Sequence, residues 1–484
     1  MFLRENSDVS GITLLGHAAD DHPVTPREKA LKVNLDPGCY GSFAEIGAGQ
    51  EVVRWFFRAG GAAGTISKSI SAYDMKVSDA IYGPCARYVC RERLQSMLDY
   101  EQRLNIERLV EGRGTTTAFF TFADTVSARS FRGNNECHGW LGIKFQPRPM
   151  ADSSQIIIHV RMLDIENALQ QEALGIVGLN LIYGAQYFDN DPDRLVESLL
   201  DGLSTDRIEI DLIEFSGPEF NLVDNRVMSL RLVQLGLTGA AMFSSDGKVL
   251  QPSEVLHKRP VLVERGRFRP VTYVNLDLAR SALRAFEAEG QDVKPGETIS
   301  LMEITMSSLT HDGTVDLQDF ISRAEVLAAT GHTVMISDFA EYYRLAAYLF
   351  RYTHRRIGLA MGAMNLEAIF DESYYTKLDG GILESFGRLF RNNLRLYIYP
   401  YMDQKTGKLV TVDDVNVGDS LRQLYGYLLS RRCIVQLQDA NHTYLSIYSP
   451  DVLSKINSGN TEWESMVPPE VAHAIKSRGL FGYQ

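Results

Sequence analysis

ISLMEITMSSLTHDGTVDLQDFISRAEVLAATGHTVMISDFAEYYRLAAYLFRYT, residues 299–353, decides the fold of this 484-residue chain. Two short apolar runs, Ile299–Ser307 and Thr333–Ser337, each lead into an amphipathic segment, 317–331 and 339–353. In the second segment Phe339, Tyr342, Tyr343, Ala346, Ala347 and Phe350 recur at helical spacing along one face. Strands alternating with helices in this way imply parallel strands, right-handed crossovers and helices on both faces of the sheet.

The same rhythm extends in both directions. Upstream lie RIEIDLIEF (207–215), a helix near VDNRVMSLRLVQLG (223–236), GAAMFS (239–244), PVLVERG (260–266) and a helix near LDLARSALRAFEAEG (276–290). Downstream, RIGLAMG (356–362), LRLYIYPYM (394–402) and CIVQLQ (433–438) supply further strands. Before residue 165 the pattern differs. Leu94, Met97, Leu98 and Leu104 mark a helix closed by Gly112 and Gly114, within a mostly helical stretch from Val33. The strand-like runs 115–124, 139–145 and 154–163 follow. The expected class is therefore α/β, a helix-rich N-terminal region plus a mostly parallel, doubly wound sheet in the C-terminal part. The expected divisions are a flexible extension at 1–32, an α+β domain at 33–164 and an α/β domain at 165–484, with room for a subdivision near 290.

Hydrophobic residues at 45% and charged residues at 23% are ordinary globular values. The net charge of −12 argues against a nucleic-acid binder, which needs clustered cations to displace counterions. Cys39, Cys85, Cys90, Cys137 and Cys433 are irregularly spaced, and the Cys85/Cys90 pair lacks CxxC spacing. A disulfide framework is not expected, and a reducing, cytoplasmic location is. No apolar run approaches the roughly 18 residues of a membrane span, and acids and prolines occupy the N-terminal stretch where a signal peptide needs an apolar core. No membrane partner is expected.

The stretch from Phe43 to Ser69 is rich in glycine and ends in GGAAGTISKS (60–69). One reading makes Gly61, Gly64, Thr65 and Lys68, with Ser67, an anion cradle for a phosphorylated ligand. The other makes the glycines a close packing seam. The spacing fails the phosphate-loop pattern, because Ser67 rather than glycine precedes Lys68, and Gly47-Ala48-Gly49 lacks the third glycine of a dinucleotide fingerprint.

Ligands of open parallel sheets sit beyond the carboxyl ends of the strands. That rule selects Ser216-Gly217, Ser245-Asp246-Gly247, Ser307-Ser308, His311-Asp312, Asp338 and Asn365. His311 beside Asp312 suits general acid–base work, and Asp312-Gly313 equally suits a plain turn. Gly217, Ser307, Asp338 and Arg226 are ligand candidates; Asp338 is also an expected helix N-cap, and Arg226 suits a phosphate or carboxylate. The ten histidines are scattered singly, with no HExxH and no i,i+4 pair, so no metal ligands are assigned. Magnesium stays admissible, since it needs only one or two carboxylates besides a ligand's phosphates. A GxSxG elbow is absent. The aromatic segments 348–356, 373–378 and 396–402 suit helix packing, base stacking or a contact in a homo-oligomer.

Residues 40–83, 87–101, 170–185, 215–243 and 260–272 resemble an uncharacterised bacterial family whose members carry the labels nicotinate-nucleotide adenylyltransferase and TonB-dependent receptor. The first label implies a GxFxPxHxGH-like loop and an ISSTxxR-type segment. Only Leu15-Gly16-His17 matches the former, and nothing matches the latter. The second implies many alternating strands of about ten residues, unlike this helix-rich chain. The resemblance thus implies a family without an activity. Two functions are expected from the residues: binding of a nucleotide or phosphorylated metabolite, with a magnesium-assisted transferase as its catalytic form, or a non-catalytic self-assembling or regulatory protein.

Overall fold

The computed structural model describes residues 24–133, 135–289 and 293–483. Most of the expected extension, 1–23, lies outside the described residues, as does Gly290 at the start of the expected subdivision. The remainder of the extension is a correction. Pro26–Asn34 forms a helix that Thr25 and Glu28 close with a capping box. It is anchored because the buried Lys29 ammonium donates to Asn180 Oδ1 at 2.8 Å and to Asp201 Oδ2 at 2.6 Å.

The first sheet takes β1 (Cys39–Gly47), β2 (Ile66–Ala72), β3 (Ala118–Ser127), β4 (His138–Phe145), β5 (Ser154–Met162) and β6 (Ile208–Ser216). Its order is β2-β1-β3-β4-β5-β6, parallel across β2, β1 and β3 and antiparallel thereafter. Two expectations change here. The stretch from Val33 to Gly114, expected to be mostly helical, contains two strands, β1 and β2. The change of sheet falls between Ser216 and Ala240 rather than at 165, because β6 closes the first sheet against β5.

β7 (Ala240–Phe243), β8 (Val249–Leu250), β9 (Val261–Arg265) and β10 (Ile299–Thr305) begin the second half. A two-strand ladder of β11 (Thr310–His311) and β12 (Thr314–Val315) follows, then β13 (Thr333–Ser337), β14 (Ile357–Gly362) and β15 (Arg395–Tyr399). β16 (Tyr401–Met402) pairs with β17 (Leu409–Val410), and β18 (Ile434–Gln436) ends the series. The second sheet has the order β18-β15-β14-β9-β10-β13-β7-β8. From β18 to β13 every pair is parallel, and β7 and β8 add an antiparallel edge. The chain steps from β9 outward to β10 and β13, returns to β14 beside β9, and proceeds to β15 and β18. The sheet is doubly wound, as expected, with its switch point between β9 and β14.

Alternating strand residues explain the two helix layers. Met302, Ile304, Val334 and Ile336 share a core with the helix Leu317–Ala329 through Phe320, Ala324 and Leu327. Their neighbours Leu301 and Met335 share another with the helix Tyr342–Leu349 through Leu345, Ala346 and Leu349. In the first sheet Phe43 of β1 holds the helix Val52–Ala59 in place through Phe56, at a ring separation of 5.2 Å. Contacts of this kind stabilise by about 0.5–1.5 kcal/mol beyond the area they bury. Among the described residues, no helix is long and apolar enough to cross a membrane.

Candidate active site

β2, β1 and β3 run parallel and end on one edge, at Ala72, Gly47 and Ser127. β1 has β2 on one side and β3 on the other, so the crevice beyond β1 and β3 is the switch point of this sheet, the position where ligands of such sheets bind. A cleft of about 670 Å³ opens there, lined by Gly47, Ala48, Tyr88, Ser127, Arg129 and His138 among others.

His138 starts β4 directly opposite Ser127 of β3. The β4–β5 register then sets Trp140 opposite His159, which places His138 and His159 diagonally on one face. His138 Nδ1 lies 3.0 Å from His159 Nε2, and His159 Nδ1 lies 2.5 Å from Asp211 Oδ1. Asp211 reaches this position through a bulge: His159 pairs with Leu212 and Val160 with Ile210, leaving Asp211 as the extra residue. Gln251, from the second half of the chain, donates its Nε2 to Asp211 Oδ2 at 3.2 Å. Trp140 packs edge-on against His159 at 4.8 Å.

With both imidazoles neutral, the hydrogen bonds assign the tautomers. Asp211 accepts, so His159 carries its proton on Nδ1 and accepts on Nε2. His138 therefore donates from Nδ1 and keeps a lone pair on Nε2. Burial, and then the neighbouring His159, push the His138 imidazole down to about 4, so it is neutral near pH 7. A neutral imidazole with a free lone pair, held by a two-step relay and lining a cleft, can accept a proton from a bound nucleophile.

The opposite face of β1 and β3 carries a carboxyl pair, Glu45 and Asp124, which are register partners. Glu45 Oε1 accepts from Val52 N at 3.0 Å at the start of the helix Val52–Ala59. Neither oxygen of the fully buried Asp124 has a hydrogen-bond partner among the described residues. Gly49 is required above it, because a Cβ there would stand 1.9 Å from Asp124 Oδ1. Burial pushes the Glu45 carboxyl from 4.5 up to about 8. Burial and then the charge of Glu45 push Asp124 well above the usual carboxylate range. The folded chain thus binds these protons more tightly than the unfolded one; the contribution of Glu45 to stability is full below about pH 4.5 and is lost as pH rises through about 8. Asp124→Asn is expected to make that decline shallower. Thermal unfolding across this pH range checks it, and parallel curves for the two proteins would contradict it.

No protein-family model and no curated protein matches the sequence. Several solved structures share partial similarity. The competence/damage-inducible protein CihA of Agrobacterium tumefaciens is 15% identical, with a TM-score of 0.24 over 32% of this chain and 93% of its own. A CinA superfamily protein of Enterobacter cloacae is 12% identical, with a TM-score of 0.25 over 38% and 97%. A competence or damage-inducible protein of Enterobacter asburiae is 13% identical, with a TM-score of 0.23 over 33% and 98%. Similarity at this level assigns no function.

The residues selected from sequence do not meet at this cleft. His311 and Asp312 sit at the exposed tip of the β11–β12 ladder, a tight turn that carries Asp312 at φ +50°. Asp338 is exposed and does not cap a helix, since the next one begins at Tyr342 after Glu341. Gly217 packs against Ser154 beyond the end of β6. Arg226 is held between Asp224 and Glu325, with Nη2 at 2.7 and 2.8 Å from their carboxylates. Ser307 and Asn365 do meet, in a second cleft of about 390 Å³ that also takes Arg265, Tyr342, Tyr374 and Tyr375.

Nor do the cradle residues converge on an anion. The Thr65 hydroxyl is buried and donates to Asn34 O at 2.7 Å, and Lys68 pairs with Glu101 at 2.5 Å. Gly61 and Gly64 are exposed, Gly61 with φ +78°, and nothing lies within 4 Å of a Cβ built on Gly64. The packing seam is therefore absent as well at Gly64. Gly64→Ala is expected to change stability by less than about 0.5 kcal/mol, and Gly61→Ala to cost about 1–2 kcal/mol through its left-handed backbone. Urea unfolding of the two variants checks the contrast.

Proposed function

We propose that the chain is an enzyme in which His138 acts as general base on a small anionic substrate, a nucleotide or phosphorylated metabolite, bound in the cleft beyond β1 and β3. The observation that carries this reading is the Asp211–His159–His138 relay ending in that cleft. Nε2 of His138 takes the proton of an attacking hydroxyl, while Nδ1 keeps donating to His159, which Asp211 holds in its accepting tautomer; the Asp211 carboxylate, the group that favours a charged His138, offsets the new charge. Arg129 supplies charge for the substrate anion; its Nη1 donates to Ile165 O at 3.2 Å, and it pairs with no carboxylate among the described residues. Magnesium, if used, would enter with the substrate's phosphates, because no group of three or more His, Cys, Asp or Glu could hold a metal ion among the described residues.

Thermal unfolding against a panel of nucleotides and sugar phosphates, with and without magnesium, tests binding. A ligand at a hundredfold its Kd stabilises by about 2.7 kcal/mol. His138→Gln is expected to keep that stabilisation and to lower turnover by about 10²–10⁴. Absence of any shift across the panel, or full turnover in the variant, contradicts the proposal.

The second cleft favours a separate binding role. It lies at the switch point of the doubly wound sheet, and Tyr342, Tyr374, Tyr375 and Asn365 suit a flat polar ring such as a nucleobase. Arg265 there is already paired with Glu303, so the cleft has little grip on phosphate. Quenching of tyrosine fluorescence by free nucleosides, weakened in Tyr374→Ala, is the expected result; equal quenching in the variant contradicts it.

A further inference from the structure

The segment between the helices Met75–Tyr82 and Arg91–Arg113 reads GPCARYVC, residues 83–90. Its two cysteines are five residues apart, and the turn between them brings Cys85 Sγ to 3.3 Å from Cys90 Sγ. Both are free thiols. A disulfide bond of about 2.05 Å needs each sulfur to move by well under an ångström. The residues enclosed by this pair form part of the cleft wall. Tyr88 and Val89 line the cleft. Tyr88 is tied to the sheet: its carbonyl accepts from Thr125 Oγ1 at 2.7 Å, and its hydroxyl donates to Ala72 O at 2.9 Å. Its ring edge also lies 3.2 Å from the position of a Cβ on Gly47.

We propose that Cys85 and Cys90 are a redox modification site, joined reversibly by low-molecular-weight disulfides of the glutathione type, and that the bond fixes the Tyr88–Val89 wall of the cleft. The two thiols have unequal tasks. Cys85 is half-exposed and accessible to the oxidant, whereas Cys90 is buried at the start of the long helix. Burial also pushes the Cys90 thiol up to about 12, which disfavours it as the first attacker. The Cys85 thiolate attacks one sulfur of the small disulfide, forming a mixed disulfide and releasing one thiolate. Cys90 then loses its proton to solvent and its sulfur attacks Cys85 Sγ, releasing the second thiolate. Two electrons and two protons leave the pair, and one small disulfide is reduced to two thiols. Excess dithiol reverses both steps. The importance of this wall for turnover rests on the proposed active site; the chemistry of the pair does not.

The full-length chain, reduced and then incubated with oxidised glutathione, tests both parts. Intact mass is expected to fall by about 2 Da, and alkylation after denaturation to drop from five cysteines to the three that remain, Cys39, Cys137 and Cys433. Trypsin cuts at Arg87 between the two sites, so the fragments 77–87 and 88–91 are expected to appear as one disulfide-linked species that reduction separates. Cys90→Ser is expected to stop at a glutathione adduct on Cys85, and Cys85→Ser to give no linked fragment. Amide hydrogen exchange at Tyr88 and Val89 is expected to slow in the oxidised form. Five alkylated cysteines, linkage through any other cysteine, or identical exchange at these two amides overturns the proposal. These readouts do not depend on turnover, so they stand or fall separately from the role of His138.

Discussion

Glu303→Ala is expected to cost about 3–5 kcal/mol of folding free energy, the loss characteristic of a buried charge left without its partner. Glu303 is fully buried in β10 and accepts both Nε and Nη2 of Arg265, at 2.8 and 2.9 Å. It also accepts the Ser337 hydroxyl at 2.5 Å. Three adjacent parallel strands, β9, β10 and β13, thus meet in one polar cluster at the carboxyl edge of the second sheet. Alanine strands the Arg265 guanidinium, which retains Ala340 O at 2.8 Å, the face of Tyr342 at 4.3 Å and the more distant charge of Glu341. The measurement is urea unfolding, read as a lowered midpoint at unchanged slope. Replacing both charges at once, Arg265→Met with Glu303→Leu, is expected to recover much of the loss, because no unpaired ion remains. A loss below about 1 kcal/mol in the single variant would show that water reaches Arg265 readily.

The α/β class was legible because β9, β13 and β14 of the second sheet are short apolar runs, each followed by a helix, and β10 leads into one after a short ladder, as in 299–353. The place where one sheet gives way to the next was not legible, since RIEIDLIEF carries the same signature although it pairs with β5. β1 escaped notice for another reason. CYGSFAEIG is buried on both faces, so it has no polar–apolar alternation, and its small residues read as turn. Ser307 and Asn365, both selected by the strand-end rule, line one cleft, whereas the hairpin that carries His311 and Asp312 is exposed to solvent. The relay left no local trace. His138 and His159 are 21 residues apart and meet only through antiparallel register, and Asp211 joins them through a one-residue bulge.

Asp211→Asn is expected to lower turnover by about 10³–10⁴ while leaving the chain folded and ligand affinity unchanged, because it reverses the tautomers of both histidines. The reason lies in Gln251. Its Oε1 is fixed by accepting from Ser253 Oγ at 2.8 Å and Glu254 N at 2.7 Å, so its Nε2 must point at residue 211. Asparagine there has to offer its oxygen to that donor, since the alternative sets two N–H groups against each other. Its amide nitrogen then faces His159 Nδ1, which has to become an acceptor. The His159 proton moves to Nε2, His138 Nδ1 becomes the acceptor in turn, and the His138 proton moves to Nε2, the nitrogen left for the cleft. The base becomes a donor without any atom of the cleft being replaced. Nitrogen NMR of labelled protein reads this directly, as a change of His138 Nε2 from unprotonated to protonated, and turnover reads its consequence. A purely structural role for Asp211 predicts a lowered urea midpoint with His138 Nε2 still unprotonated, and that result would remove the relay from catalysis.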